Sequence, residues 1–168
     1  PLPGRTNHKR AGVLVPLVWD AGGPTVIATL RAARLREHAG EIAFPGGKPE
    51  PEDADLLHTA LREAHEELGL APSRVRPLGQ LSSMPLYTSD YRLVPTVAAV
   101  EDGPWAPDPG EVAAVLRLPL QPLLEAPALD AVPWTWGDAT HHSPVFPVDG
   151  HIMYCLLYTS PSPRDLYR

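Results

Sequence analysis

The sequence holds a single cysteine, Cys155, so no disulfide can close within it. No Cys and His residues stand at zinc-binding spacing either, which removes a structural zinc site and fits a reducing cytoplasm. Apolar runs are short: none approaches the roughly 20 residues that cross a bilayer as a helix, and no signal-peptide pattern is present. A cytoplasmic location is therefore expected, from class alone. An initiator Met is also lacking, from which a missing upstream piece or targeting segment is expected.

Positive charge is scarce as well. The 14 Lys and Arg are outnumbered by 20 Asp and Glu, and a net charge of −6 argues against a general nucleic-acid-binding surface. Neither a nucleic acid polymer nor a membrane is expected as a partner. A nucleotide remains open, because a local group of arginines and a metal ion can bind phosphate on an acidic protein. At 168 residues the chain can bury a sizeable core, and its 22 prolines are scattered rather than gathered in a linker, so one compact domain is expected. Richness in Ala, Pro, Arg and Gly hints at a GC-rich bacterial source.

What the chain does have is an ordered series of short apolar segments. Gly12 to Trp19 and Thr25 to Leu30, separated by Asp20 to Pro24, read as a β-hairpin with a longer loop. Ile42 to Phe44 reads as a strand leading to a Gly46-Gly47 turn. Val75 to Leu81, Arg92 to Val100 and Val112 to Leu118 read as further strands, with a short turn or helix at Leu120 to Glu125. Thr135-Trp136 and Val145-Phe146 are expected to pair, and Asp149-Gly150 to turn. Strands interrupted by one strong helix suggest a mixed sheet sandwiched by helices.

That strong helix follows from the roughly 100° per residue of an α-helix. Leu56, Leu57, Ala60, Leu61, Ala64 and Leu68 fall on one side, the stripe of a helix packed on a core. Asp53 is the expected N-cap and Gly69 the left-handed C-cap, bounding a helix from about residue 53 or 54 to Leu68. Taking Ala60 as the reference direction, Glu67 lies roughly 20° away, Glu63 roughly 60° and Glu66 about 120°. Two carboxylates one turn apart thus crowd the edge of the buried stripe. Like charges that close either raise a pKa or recruit a cation, and an all-oxygen cluster suits Mg²⁺ or Mn²⁺. The competing reading is an ordinary acidic helix face paired with Arg62.

With its neighbouring glycines, this segment resembles the Nudix box, carried here by Gly47, Asp53, Arg62, Glu63, Ala64, Glu66, Glu67, Gly69 and Leu70. Two departures from the general pattern, Asp53 in place of Glu and one extra residue before Arg62, are features of the coenzyme A pyrophosphatase branch. A second signature of that branch lies upstream in Thr29, Arg31, Ala32, Leu35, Arg36, His38, Gly40 and then Phe44-Pro45-Gly46-Gly47.

The resemblance implies an α/β fold, the Nudix-type α/β/α sandwich with a mixed β-sheet, spanning residues 1–155. It also implies metal-dependent hydrolysis of the diphosphate bond of coenzyme A or a derivative, to 3′,5′-ADP and 4′-phosphopantetheine. Glu63, Glu66 and Glu67 are the expected holders of Mg²⁺ or Mn²⁺, with a backbone carbonyl near Gly46 or Gly47 as a further ligand. Arg31, Arg36 and His38 are expected against the substrate phosphates, since Arg forms forked bonds to phosphate. Arg62, Asp53 and Gly69 are expected to be structural, Arg62 bracing the loop or orienting an acid.

The base that deprotonates water is left open among Glu63, Glu66 and the distal Glu111. Residues Tyr87 to Tyr91 are a further loop that could touch the adenine or pantetheine arm. Ile152-Met153-Tyr154 is expected to open a closing helix, and residues 156–168 to be a tail outside the domain, as a read-through artefact or a disordered segment. Two other readings stand beside coenzyme A hydrolysis: a Nudix hydrolase of ADP-ribose or another nucleoside diphosphate derivative, and a non-catalytic nucleotide-binding Nudix module. The oligomeric state is open, a homodimer being one option.

Overall fold

The computed structural model describes residues 9–36, 38–85, 90–125, 131–136, 139–148 and 151–154. The expected Asp149-Gly150 turn, Tyr87 to Ser89 and the tail at 156–168 lie outside the described residues.

Strands β1 (Lys9–Asp20) and β2 (Gly23–Arg31) form the expected hairpin, but with Asp20 opposite Gly23 and hence only Ala21 and Gly22 between them. The loop is shorter than the sequence suggests because Asp20 organises it. Its carboxylate accepts from the Gly22 N–H at 2.9 Å and from the Thr25 hydroxyl at 3.1 Å. Gly23 takes a φ of 101°, a region that favours glycine.

After β3 (Ile42–Ala43), the Gly-Gly segment expected as a turn is itself a short strand, β4 (Gly46–Gly47). It pairs antiparallel with Gly12 and Val13 of β1. Strand β5 (Val75–Gln80) follows a 3-10 turn at Pro72–Arg74 and pairs with β7 (Tyr91–Val100), as does β6 (Met84–Pro85). Strand β7 runs parallel to β1, from Lys9 opposite Tyr91 to Leu17 opposite Ala99. Strand β8 (Val112–Pro119) lies antiparallel to β2 and leads into α2 (Leu120–Glu125). The main path is β3-β2-β1-β7-β5, a mixed sheet.

Alternation along the strands sorts the core into two layers. Val13, Val15, Val26, Ala28, Leu116 and Leu118 face one side with Phe44 and, at its margin, Leu120 of α2. Leu14, Val18, Ile27 and Ala98 face the other, where they meet Ala60, Ala64 and Leu68 of helix α1 (Leu56–Leu68). This α/β sandwich is the expected fold class. A Cβ on Gly12 would run into the Leu56 carbonyl, so glycine at that position lets the first turn of α1 lie close on β1.

Helix α1 starts later than expected, and its N-cap is Asp55 rather than Asp53. The Asp55 carboxylate accepts from the His58 N–H at 2.8 Å. Asp53 instead closes the preceding loop, accepting from the Glu50 N–H at 2.9 Å. Gly69 ends the helix with φ 64°, as expected of a left-handed cap.

A separate three-stranded sheet comprises β9 (Ala131–Trp136), β10 (Ala139–Val148) and β11 (His151–Tyr154). Thr135 and Trp136 pair with Thr140 and Ala139, not with Val145 and Phe146, which pair instead with Tyr154 and Met153. Ile152 to Tyr154 is therefore strand where a helix opening was expected. Val148 opposite His151 delivers these residues directly alongside β10, and β-branched Ile152 and aromatic Tyr154 suit that position. Among the described residues no helix is long and apolar enough to cross a membrane.

Candidate active site

The acidic edge of α1 meets β4. Burial follows the order of the helical wheel: Glu67 is 4% exposed, the Glu63 side chain 18% and the Glu66 side chain 57%. Because β4 is stitched to β1, beneath α1, Gly47 passes directly under the Glu63 carboxylate, which occupies the space where a Cβ on residue 47 would stand. Gly46 offers its N–H to Glu67.

Burial pushes the Glu67 carboxyl up to about 8, with the charges of Glu63 and Glu111 adding to the shift; Arg31 and the Gly46 N–H oppose it. Glu63 is raised too, first by burial, while Arg62 pulls it down and Glu66 and Glu111 push it up. Glu111 is exposed, yet its charge is felt by both buried acids. Arg31, at the end of β2, is a basic group whose charge acts on Glu67, and its buried Nε has no hydrogen-bond partner.

Arg62 is the hub of the loop before α1. Its Nη2 donates to the Lys48 carbonyl at 3.0 Å, to Asp53 at 3.2 Å and to Glu63 at 3.1 Å, while Nη1 donates to Glu66 at 3.0 Å. The Glu50 N–H, then Arg62, hold Asp53 below the usual carboxylate range. Glu66, expected as a third metal ligand, is turned to this guanidinium at the surface. Among the described residues no three Asp, Glu, His or Cys side chains gather to hold a metal together.

Arg36 and His38 lie between β2 and β3. Arg36 is exposed, and His38, at φ 56°, bonds through Nδ1 to Glu41 at 3.0 Å. Tyr91 belongs to β7, with the ammonium groups of Lys9 and Lys48 at 5.7 and 5.4 Å from its ring centre.

Sequence reasoning passed over Arg34. Its Nη2 donates to the Pro109 carbonyl at 2.7 Å and its Nε to the Gly110 carbonyl at 3.2 Å. Nothing in the local sequence signals partners 75 residues away.

The family model described as a NUDIX domain matches residues 8–137. The chain belongs to the Nudix family. A Yersinia enterocolitica protein described as an uncharacterized Nudix hydrolase NudL is 42% identical over 123 residues, covering 71% of this chain and 62% of that protein. The chain thus spans less than two thirds of the length of this curated relative. Two solved structures share the fold at lower identity. The Nudix hydrolase RenU from M. smegmatis has a TM-score of 0.57 at 19% identity, over 70% of this chain and 74% of that one. A C. elegans Ap4A hydrolase in a binary complex has a TM-score of 0.56 at 17% identity, over 68% and 83%.

The donor set fits a divalent cation of the hard class. Glu63 and Glu67 are two crowded, desolvated carboxylates, all-oxygen donors of the kind such cations prefer, and ions of this class complete their shell with water and phosphate oxygens.

Proposed function

We propose that this Nudix protein is a metal-dependent hydrolase that cleaves the diphosphate bond of coenzyme A or a derivative, giving 3′,5′-ADP and 4′-phosphopantetheine or its acyl form. The observation that carries the hydrolase reading is the pair Glu63 and Glu67, desolvated side by side against Gly46-Gly47, with the charge of Arg31 acting on Glu67 and Arg62 bonded to Glu63. Support for coenzyme A comes from the upstream signature Arg31, Arg36, His38 and Gly40 and from Asp53 with its extra spacing before Arg62.

In this reading Glu63 and Glu67 hold Mg²⁺ or Mn²⁺, with Glu66 at the rim of the site. A divalent cation held there would supply charge neutralisation at the diphosphate and would acidify water near neutral pH. Arg31 and Arg36 bind the phosphates, with His38 beside them. Water attacks one phosphorus, the bridging P–O bond breaks, and the water proton passes to a carboxylate base. Glu111 is our choice for that base, since its charge bears on both Glu63 and Glu67. Arg62 braces the loop and orients Glu63.

Cleavage of ADP-ribose or of another nucleoside diphosphate derivative is the second enzymatic reading, and the fold shared with an Ap4A hydrolase favours keeping it. A nucleotide-binding module without catalysis is the third. Incubation with coenzyme A and with ADP-ribose, each with Mg²⁺, and product analysis by mass spectrometry separates them. Cleavage of ADP-ribose with none of coenzyme A overturns the first reading, and a folded sample that turns over neither favours the binding module.

A further inference from the structure

The loop that carries Glu111 is held at both ends by the main chain. On one side the Ala106 N–H donates to the Leu68 carbonyl at 2.9 Å and the Asp108 N–H to the Glu67 carbonyl at 3.0 Å. The loop therefore hangs from the C-terminal end of α1, next to the buried acid. On the other side the Ala32 N–H donates to the Glu111 carbonyl at 2.8 Å. Between these anchors stands Arg34, whose fork grips the carbonyls of Pro109 and Gly110.

That fork fixes the direction in which residue 111 leaves the chain. The Gly110 carbonyl and the Glu111 N–H belong to one planar peptide unit. The carbonyl accepts from Arg34 Nε, while the N–H donates to the Asp108 carbonyl at 3.0 Å. The next peptide unit is held through the Glu111 carbonyl. With both flanking peptide planes fixed, the Cα–Cβ direction of Glu111 is set. Gly110 leaves the space that the guanidinium needs: a Cβ there would stand 3.1 Å from Arg34 Nη2 and 3.0 Å from Asp108 Oδ1.

We propose that Arg34 is a positioning residue, clamping the 109–110 backbone so that the Glu111 carboxylate is presented to the Glu63 and Glu67 pair. The inference rests on the hydrolase reading and deepens it. Arg34 itself touches no reacting group. Its effect is on the placement of one side chain, and errors of about 1 Å in a reacting group cost on the order of a hundredfold in rate.

The test compares wild type, Arg34→Ala, Arg34→Lys, Glu111→Gln and the Arg34→Ala/Glu111→Gln pair, all with Mg²⁺ and the better of the two diphosphate substrates. Arg34→Ala is expected to lower kcat by about tenfold or more with KM little changed. Hydrogen exchange of the 110–112 amides is expected to rise. Arg34→Lys, which keeps the charge but not the fork, falls between wild type and Arg34→Ala. Adding Arg34→Ala to Glu111→Gln is expected to cost nothing further.

A wild-type kcat in Arg34→Ala overturns the inference, as does a loss that multiplies on top of Glu111→Gln or one that appears only in KM. Full rescue by Arg34→Lys also overturns it, since charge alone would then suffice. If Arg34→Ala fails to fold, Arg34→Lys decides through the same kcat and exchange readouts. A wild-type protein that cleaves no diphosphate sinks the hydrolase reading and this inference together, whereas an active wild type with an indifferent Arg34→Ala sinks only this one.

Discussion

The Glu63 carboxylate lies directly over the Cα of Gly47, in the space any larger residue at 47 would need. Gly47 belongs to β4, whose pairing with β1 prevents it from moving away, so the strain of a substitution falls on the acid. Gly47→Ala is expected to leave the fold largely intact while displacing Glu63. The proposed diphosphate hydrolysis should drop by about a hundredfold. Steady-state kinetics with a circular dichroism melt would check it, and an unaltered kcat would show that the Glu63 position does not matter.

Glu67 makes the metal-free protein sensitive to pH. Its folded-state value of about 8 lies above the ordinary 4.5, so below pH 4.5 the group is neutral in both folded and unfolded chains. As pH climbs from 4.5 towards 8, the unfolded chain gives up a proton that the folded chain keeps, and stability falls across that window. The loss well above pH 8 is of order 5 kcal/mol at most. Thermal melts in EDTA between pH 5 and 8.5 should show the decline, and millimolar Mg²⁺ should reduce it. A metal-free protein whose melting temperature stays level across this range would contradict the assignment.

Glu67→Gln separates stability from chemistry at the same position. The substitution removes the charge from a buried site, so the metal-free variant is expected to be more stable than wild type at pH 8 and to lose the slope just described. Metal-dependent turnover should be nearly abolished. Full activity in a folded Glu67→Gln protein would refute the proposed metal site.

Arg62 joins four partners that a lysine cannot reach together: the Lys48 carbonyl, Asp53, Glu63 and Glu66. Arg62→Lys is expected to destabilise by about 2 kcal/mol, because hydrogen bonds to charged groups are lost from a half-buried cluster. Denaturant unfolding of the two proteins measures the difference.

Much of this was legible because it is periodic or local. The apolar stripe of α1 and the angular order of its acids follow from 3.6 residues per turn, and burial at Glu67, Glu63 and Glu66 keeps that order. The hairpin was legible, but its loop length was not, since Asp20 reaches forward to Gly22 and Thr25 and tightens it. Asp53, the cap expected from the sequence, and Asp55 carry the same side chain. The choice fell to Asp55 because Arg62, nine residues further on, draws Asp53 into the loop. At Ile152 to Tyr154, pairing with β10 overrides any local preference for helix. Arg34 left no trace in the sequence, because its partners are backbone carbonyls that carry no residue identity.

Strand β1 has one neighbour close in sequence, β2, and another, β7, whose register places Lys9 beside Tyr91. The central parallel seam of the sheet therefore cannot zip until residue 100 has left the ribosome. A nascent chain that ends after α1 owns the helix with its acids but lacks the strand that completes the floor beneath it. That long-range closure carries a loop-closure cost that contacts within a helix do not.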